Sequence, residues 1–171
     1  FISGNVSVND TKVTSYVRID GEGGLYEANR PLYGQSPYTY NLGLDYVGDR
    51  MGFSIRQNGI GDQYILVGFE YSREEIRMPY AVTDAQVSYK FFKEKNLELK
   101  CSIKNMFDAG IQTYNNANSY SHLEDFPMGS NPRSQFSLGA NASKKYDEDI
   151  DQVMFKAWSG RTISVSVNYS F

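Results

Sequence analysis

Thr162-Ile163-Ser164-Val165-Ser166-Val167-Asn168-Tyr169-Ser170-Phe171 alternates without an error between polar residues and large apolar ones. A β-strand sends successive side chains to opposite faces, so Ile163, Val165, Val167, Tyr169 and Phe171 share one side and the other side is polar. The same period runs through Tyr38, Tyr40, Leu42, Leu44 and Tyr46, opposite Thr39, Asn41, Gly43 and Asp45. It returns in Ala85, Val87, Tyr89 and Phe91 opposite Asp84, Gln86, Ser88 and Lys90, and in Leu97, Leu99, Cys101 and Ile103 opposite Glu98, Lys100, Ser102 and Lys104. Weaker alternation at Ile2, Gly4, Val6 and Val8, and at Met51, Phe53 and Ile55 beside Ser54 and Arg56, completes the set. Six strands are expected, at about 1–14, 37–47, 51–66, 80–91, 97–107 and 161–171, and no segment carries a convincing helical period.

The connections alternate in length. Gly48-Asp49-Arg50 and Phe92-Lys93-Glu94-Lys95-Asn96 are tight, whereas about 15–34, 67–79 and 108–159 are long and rich in Gly, Asn, Ser, Asp and Tyr. A hairpin loop usually has only about 2 to 5 residues. In an up-and-down sheet every tight turn then lies on one edge and every long loop on the other, the asymmetry of an outer-membrane barrel with periplasmic turns and extracellular loops. A soluble antiparallel sandwich is the competing reading, because alternating strands serve it as well. Three features favour the membrane. The polar faces are uniform, as a hydrated lumen requires. Aromatics gather at strand ends, with Tyr46, Tyr89, Phe91, Tyr169 and Phe171 toward the tight turns and Tyr38 and Tyr40 toward the long loops, as interfacial girdles do. The apolar stretches run about 9 to 11 residues, the length of a tilted strand across hydrocarbon.

The 171 residues carry 17 Lys and Arg against 20 Asp and Glu, a net charge of -3, one Cys, and 14 Tyr and 10 Phe beside one Trp and one His. This balance, with no basic block, argues against a nucleic-acid partner, and a single Cys excludes a disulfide within the chain. No run of about 18 apolar residues occurs, which excludes a spanning helix but not a spanning strand. Phe1 to Val6 offers no initiating Met, basic region or apolar run of a secretory signal, so the chain is expected to begin mid-element. A closed barrel of this class takes about 8 strands or more, and lipid tolerates no open sheet edge. Six strands therefore need further chain or partner subunits to complete the wall.

Asn29-Arg30-Pro31-Leu32-Tyr33-Gly34-Gln35-Ser36-Pro37-Tyr38, the stretch Asn96 to Asp108 with Asn105-Met106-Phe107-Asp108 at its end, and Gly160 to Phe171 stand in order along most of the chain. The first resembles the "RPLxGQSPY" segment, the second the "NLFD" element with Met for Leu, and the third the terminal strand of TonB-dependent outer-membrane receptors of the Bacteroidetes type, SusC-like or related. The resemblance implies an all-β fold: the last six or so strands of an antiparallel up-and-down transmembrane β-barrel of about 22 strands, with the plug and earlier strands outside this chain. It implies energised import of a scarce nutrient, whether glycan, peptide or metal chelate, and no catalysis. TonB is engaged through the missing N-terminal part, outer-membrane lipid surrounds the wall, the C-terminus is periplasmic, and a SusD-like surface lipoprotein or other outer-membrane subunits are the implied partners. A structural barrel subunit without transport is the alternative. An outer-membrane hydrolase is the weakest reading, because His122 is the only His and no nucleophile motif accompanies it.

Ten side chains take the parity of the lumen: Asn41, Asp45, Arg56, Asp84, Gln86, Lys90, Glu98, Lys100, Lys104 and Asn168. Mixed sign on neighbouring strands reads as cross-strand ion pairing in a wet lumen or as a seat for the plug. It also decides the faces, because a midplane Lys facing lipid costs about 2 to 4 kcal/mol. Cys101 has the lipid parity, where it serves as a small apolar residue. Tyr114, Tyr120, Phe126, Phe155 and Trp158 are candidates for ligand or partner contact from the longest loop, with packing of that loop as the plainer reading. Asp147, Asp149 and Asp151 offer carboxylates at alternate positions, so a loop Ca²⁺ is the one cofactor with candidate ligands. The EF-hand pattern fails at Gln152, and a solvated acidic loop is the plainer reading. Tyr169 and Phe171 resemble the terminal signal read by barrel-insertion machinery and suit the periplasmic girdle equally.

Overall fold

A computed structural model describes residues 1–18, 25–66, 74–115, 146, 148 and 151–170, and every regular element among them is a β-strand. In chain order these are β1 (Ile2–Val8), β2 (Val13–Arg18), β3 (Leu25–Arg30), β4 (Tyr38–Val47), β5 (Met51–Ile60), β6 (Gln63–Leu66), β7 (Glu75–Arg77), β8 (Tyr80–Phe91), β9 (Leu97–Lys104), β10 (Gly110–Asn115), β11 (Gln152–Trp158) and β12 (Thr162–Tyr169). The fold is all-β and antiparallel.

Six strands form one sheet in the order β1-β4-β5-β8-β9-β12. Its register aligns Ile2, Leu44, Ile55, Ala85, Ile103 and Ile163 in one row across all six strands. Two residues along, Tyr46, Phe53, Val87, Cys101 and Val165 form a second apolar row. The row between them is Asp45, Ser54, Gln86, Ser102 and Ser164, on the opposite face. The apolar face is uncovered: Ile163, Val165 and Val167 are 71%, 65% and 64% exposed, and Leu42, Leu44, Met51 and Val87 are exposed as well.

The long connections carry strands of their own. A four-stranded sheet, β11-β10-β7-β6, repeats the order β12-β9-β8-β5 of the larger sheet, and the pair β2-β3 continues β1 and β4. Several expected boundaries are therefore corrected. The strand expected over 1–14 divides into β1 and β2, that over 51–66 divides at Gly61 and Asp62, and that over 97–107 stops at Lys104. The expected loops 15–34, 67–79 and 108–159 hold β2 and β3, β7, and β10 and β11. The breaks have local causes. Pro37 and Pro79 lack the amide that a ladder needs, Asn105 and Asp108 take φ of 52° and 54°, and Gly160 takes φ of 75°. Each is a residue that suits a turn better than a continuing strand.

Buried hydrophobic residues among those described are Tyr64, Ile76 and Tyr114, all in the four-stranded sheet, with Met78 and Tyr146 packed against them. The Tyr114 and Tyr146 rings meet edge to face at 5.2 Å. At the opposite edge of the larger sheet the tight turns are sewn together. The Arg50 Nη1 donates to the Phe92 carbonyl at 2.7 Å, Lys95 pairs with Asp49, and the Ser170 amide donates to the Asn96 carbonyl at 2.9 Å.

Candidate functional site

All ten residues with lumen parity lie on the polar face of the six-stranded sheet by register, and two rows decide its chemistry. One row places Ser3, Gly43, Arg56 and Asp84 side by side. Arg56 does not pair with its neighbour Asp84. It crosses Gly43 and reaches Asp45 diagonally, with Nη2 to Oδ1 at 2.8 Å and Nη1 to Oδ2 at 3.1 Å. A forked guanidinium matches the two carboxylate oxygens in this geometry. Gly43 is what permits the crossing, because a Cβ there would collide with the Arg56 guanidinium and the Ser3 hydroxyl. The second row is Asn5, Asn41 and Asn58, with Asn41 Nδ2 donating to Asn5 Oδ1 at 2.7 Å. Together Ser3, Asn5, Asn41, Gly43, Arg56 and Asn58 line a depression.

Toward the tight-turn edge, Lys90, Glu98 and Asn168 stand in one row, and Lys100 lies in the row beside Ser88 and Ser166. Gln86 is flanked by Ser54 and Ser102, and Lys104 by Thr162. Ion pairs among the described residues join Arg56 to Asp45 and Lys95 to Asp49, so the pairing expected within β8 and β9 forms instead between β4 and β5 and between the turns. The Lys95 ammonium, hydrogen-bonded to Asp49, holds that carboxyl below the usual carboxylate range.

Asp84 has a structural partner. Its Oδ1 accepts from the Asn105 amide at 2.9 Å, and the Met106 amide donates to the Thr83 carbonyl at 2.8 Å, folding the end of β9 back onto β8. The Asn105 side chain is buried. Its Oδ1 accepts from the Ala109 amide at 2.8 Å, while Nδ2 lies 3.2 Å from each of the Ala109 carbonyl, the Ser159 hydroxyl and the Gly160 carbonyl. One amide thus ties the β9–β10 turn to the β11–β12 turn. The stretch from Leu32 to Tyr38 makes a comparable junction. There the Asn9 amide donates to the Pro37 carbonyl at 2.9 Å and Asn9 Nδ2 to the Ser36 carbonyl at 3.2 Å. The Gly34 amide donates to the Tyr64 carbonyl at 2.9 Å, and the Ser36 hydroxyl to the Tyr38 carbonyl at 2.8 Å.

The candidates expected in the longest loop separate. Tyr114 is a correction: expected in the long loop, it is a buried core residue of β10, 2% exposed. Burial, with Asp151 and Asp62 near, pushes its hydroxyl pKa well up. Phe155 and Trp158 lie on β11 and are exposed, with the Lys156 ammonium 5.0 Å from the Trp158 ring centre. Asp151 is buried at the start of β11. Tyr120, Phe126, Asp147, Asp149, His122 and Phe171 lie outside the described residues. Among the described residues no three His, Cys, Asp or Glu side chains gather as metal ligands. Tyr169 is at the end of β12, where its hydroxyl accepts from Asn96 Nδ2 at 3.3 Å.

Asn5, Asn58, Ser3 and Gly43 were missed as a group by sequence reading. Parity puts them on the polar face, but only register brings them together. A glycine in an otherwise clean alternation was the one available signal of a close approach. The chain matches no protein-family model, no curated protein and no solved structure.

Proposed function

We propose that this chain is the closing wall of a TonB-dependent outer-membrane receptor, and that the whole protein imports a scarce nutrient with energy delivered by TonB. The observation that carries this reading is the uncovered apolar face of the six-stranded sheet, backed by a polar face with paired charge and bounded by tight turns on one edge only. A water-soluble protein rarely leaves an apolar surface of this extent bare, whereas lipid covers it at no cost. Strands β4 and β5 are each 10 residues long, the span of a tilted strand across hydrocarbon. Support also comes from two of the three stretches that resemble the receptor family, Asn29 to Tyr38 and Asn96 to Asp108, since both form hydrogen-bonded junctions between the sheets. In this reading the tight turns are periplasmic, and β2, β3, β6, β7, β10 and β11 extend the wall beyond the outer surface.

The test is the intact mass and N-terminal sequence of the native protein extracted in detergent from outer-membrane fractions, followed by nutrient uptake in cells with and without TonB. A much longer chain opening with a plug and a TonB box, and uptake lost without TonB, are the expected results. Recovery from the soluble fraction overturns the membrane assignment. A mature membrane chain of about this length, with no plug, replaces the transporter by the structural subunit.

A further inference from the structure

We infer that a depression on the apolar face at Gln57 and Thr83 is a seat for one outer-leaflet glycolipid, an N-acylated sugar lipid of the lipid A class, held at the amide linkage of an acyl chain. The inference rests on the proposed reading of that face as covered by lipid, and adds to it a fixed position and a lipid chemistry.

The apolar face has a polar interruption. Register sets Leu42, Gln57 and Thr83 in one row of that face, between the row of Leu44, Ile55 and Ala85 and the row of Tyr40, Gly59 and Ala81. Gln57 Nε2 donates to the Thr83 hydroxyl at 3.4 Å, long for a hydrogen bond. Thr83 is 4% exposed, so its hydroxyl is fixed and aims the Gln57 amide. That amide keeps an acceptor oxygen and a second N–H. Facing hydrocarbon, such a group is costly unless the occupant of the site brings a partner for it.

The surrounding walls suit an alkyl chain. Leu42, Leu44, Ile55 and Phe107 line the depression together with the Gln57–Thr83 pair, and its volume is about 460 Å³. Sites that take small ligands run from about 300 to 1,000 Å³. Phe107 is 66% exposed at this depression, and the Met106 amide, donating to the Thr83 carbonyl at 2.8 Å, moors it beside the polar pair.

Depth and complementarity select the lipid. Alternate residues of a strand lie about 6.8 Å apart, so the pair sits one such step from the Tyr40 row, which is nearer the long loops. Interfacial tyrosines mark the headgroup level. The pair is then at the depth where acyl chains join their headgroups, on the outer side in this reading. An ester linkage, as in a glycerophospholipid, offers only acceptors. An amide linkage, as in an N-acylated sugar lipid, offers a carbonyl to Nε2 and an N–H to Oε1, and so meets a primary amide in both senses. Leaflet and hydrogen bonding point to the same lipid.

Full-length protein purified from outer membranes is stripped of lipid by detergent exchange and titrated with lipid A or with phosphatidylethanolamine, and bound lipid is counted by native mass spectrometry. One lipid A per barrel is expected, with phosphatidylethanolamine not retained at the same concentration. Gln57→Leu should weaken lipid A binding about tenfold, the equivalent of one hydrogen bond to a ligand. Phe107→Ala should weaken it too, and Ile163→Ala, on the same face but outside the depression, should leave it unchanged. Equal retention of the ester-linked lipid overturns the assignment to an amide-linked one. Lipid A binding indifferent to both Gln57→Leu and Phe107→Ala overturns the seat. So does the absence of lipid A binding by a barrel that shows the heat-dependent gel shift of a folded outer-membrane protein. Absence of that gel shift in the unmodified protein overturns the membrane reading itself, so the two failures are told apart.

Discussion

The six-stranded and four-stranded sheets share a strand order but settle their apolar residues in opposite ways. In the four-stranded sheet Ile76 is 1% exposed and Tyr64 and Tyr114 are enclosed, so burial within the chain itself stabilises the sheet. In the six-stranded sheet the large apolar side chains alternate as regularly, yet none of the described residues covers them. The difference teaches that hydrophobic alternation predicts a strand but not what its apolar side meets. One region has an internal core, and the other leaves its apolar face bare.

The sharpest way to break this contrast is to hollow the small core. Ile76→Ala should cost about 4 kcal/mol, as loss of a buried aliphatic side chain does. Hydrogen exchange should show the loss in β6, β7 and β10, with protection in β4, β5 and β8 retained. Equal loss in both sheets would make them one cooperative unit.

The complementary change loads the bare face. Val165→Arg, in the full-length chain refolded into lipid vesicles, should destabilise by about 3 kcal/mol in a denaturant titration, whereas Ser164→Arg on the opposite face should stay near zero. Equal tolerance at the two positions would mean that lipid does not cover the apolar side.

A smaller effect belongs to the junction between the regions. Asn105→Ala should cost about 2 kcal/mol, because it leaves buried backbone groups unpaired and puts a side chain with no polar arm at positive φ. Asn105→Gly should recover the conformational part alone, measured in the same titration. Full recovery by Gly would reduce the knot to a backbone preference.

The smallest effect lies at the far edge. Lys95 lowers the Asp49 carboxyl pKa in the folded protein, so this link is present above the unfolded value near about pH 4. It is lost as pH falls through the lowered folded value. Amide exchange in the turns 48–50 and 92–96 should quicken in acid beyond its intrinsic pH trend, and Asp49→Asn should remove the acid dependence. A pH response unchanged in that variant would assign it to another group.

Much of the larger sheet was legible. Strands β4, β8, β9 and β12 carry clean period-2 patterns, and the tight turns between β4 and β5 and between β8 and β9 stand where the pattern stops. The strands of the smaller sheet were not legible, for a physical reason. Glu75–Arg77 has 3 residues and Gln63–Leu66 has 4, too few for a period to declare itself, and they are stabilised by neighbours distant in sequence. Tyr114 illustrates the cost. As a tyrosine in a stretch full of polar residues it reads as a loop aromatic free to touch a ligand, and only its enclosure by Ile76 and Tyr146 shows it to be core. Asn105 was visible as part of a motif, while the turns it joins, more than fifty residues apart in the case of Gly160, became visible only in three dimensions.

Sequence alone determined the strands of the larger sheet, which face of each is apolar, and which of its connections are tight, because alternation and turn chemistry are local properties. Tertiary structure decided the register. A period-2 pattern is unchanged by a slip of two residues, so alternation cannot say which polar residue faces which. It was register that carried Arg56 across Gly43 to Asp45 and set Asn5, Asn41 and Asn58 in a row. The faces follow from the pattern, whereas the neighbours on each face follow from hydrogen bonds between strands, and the site is made of neighbours.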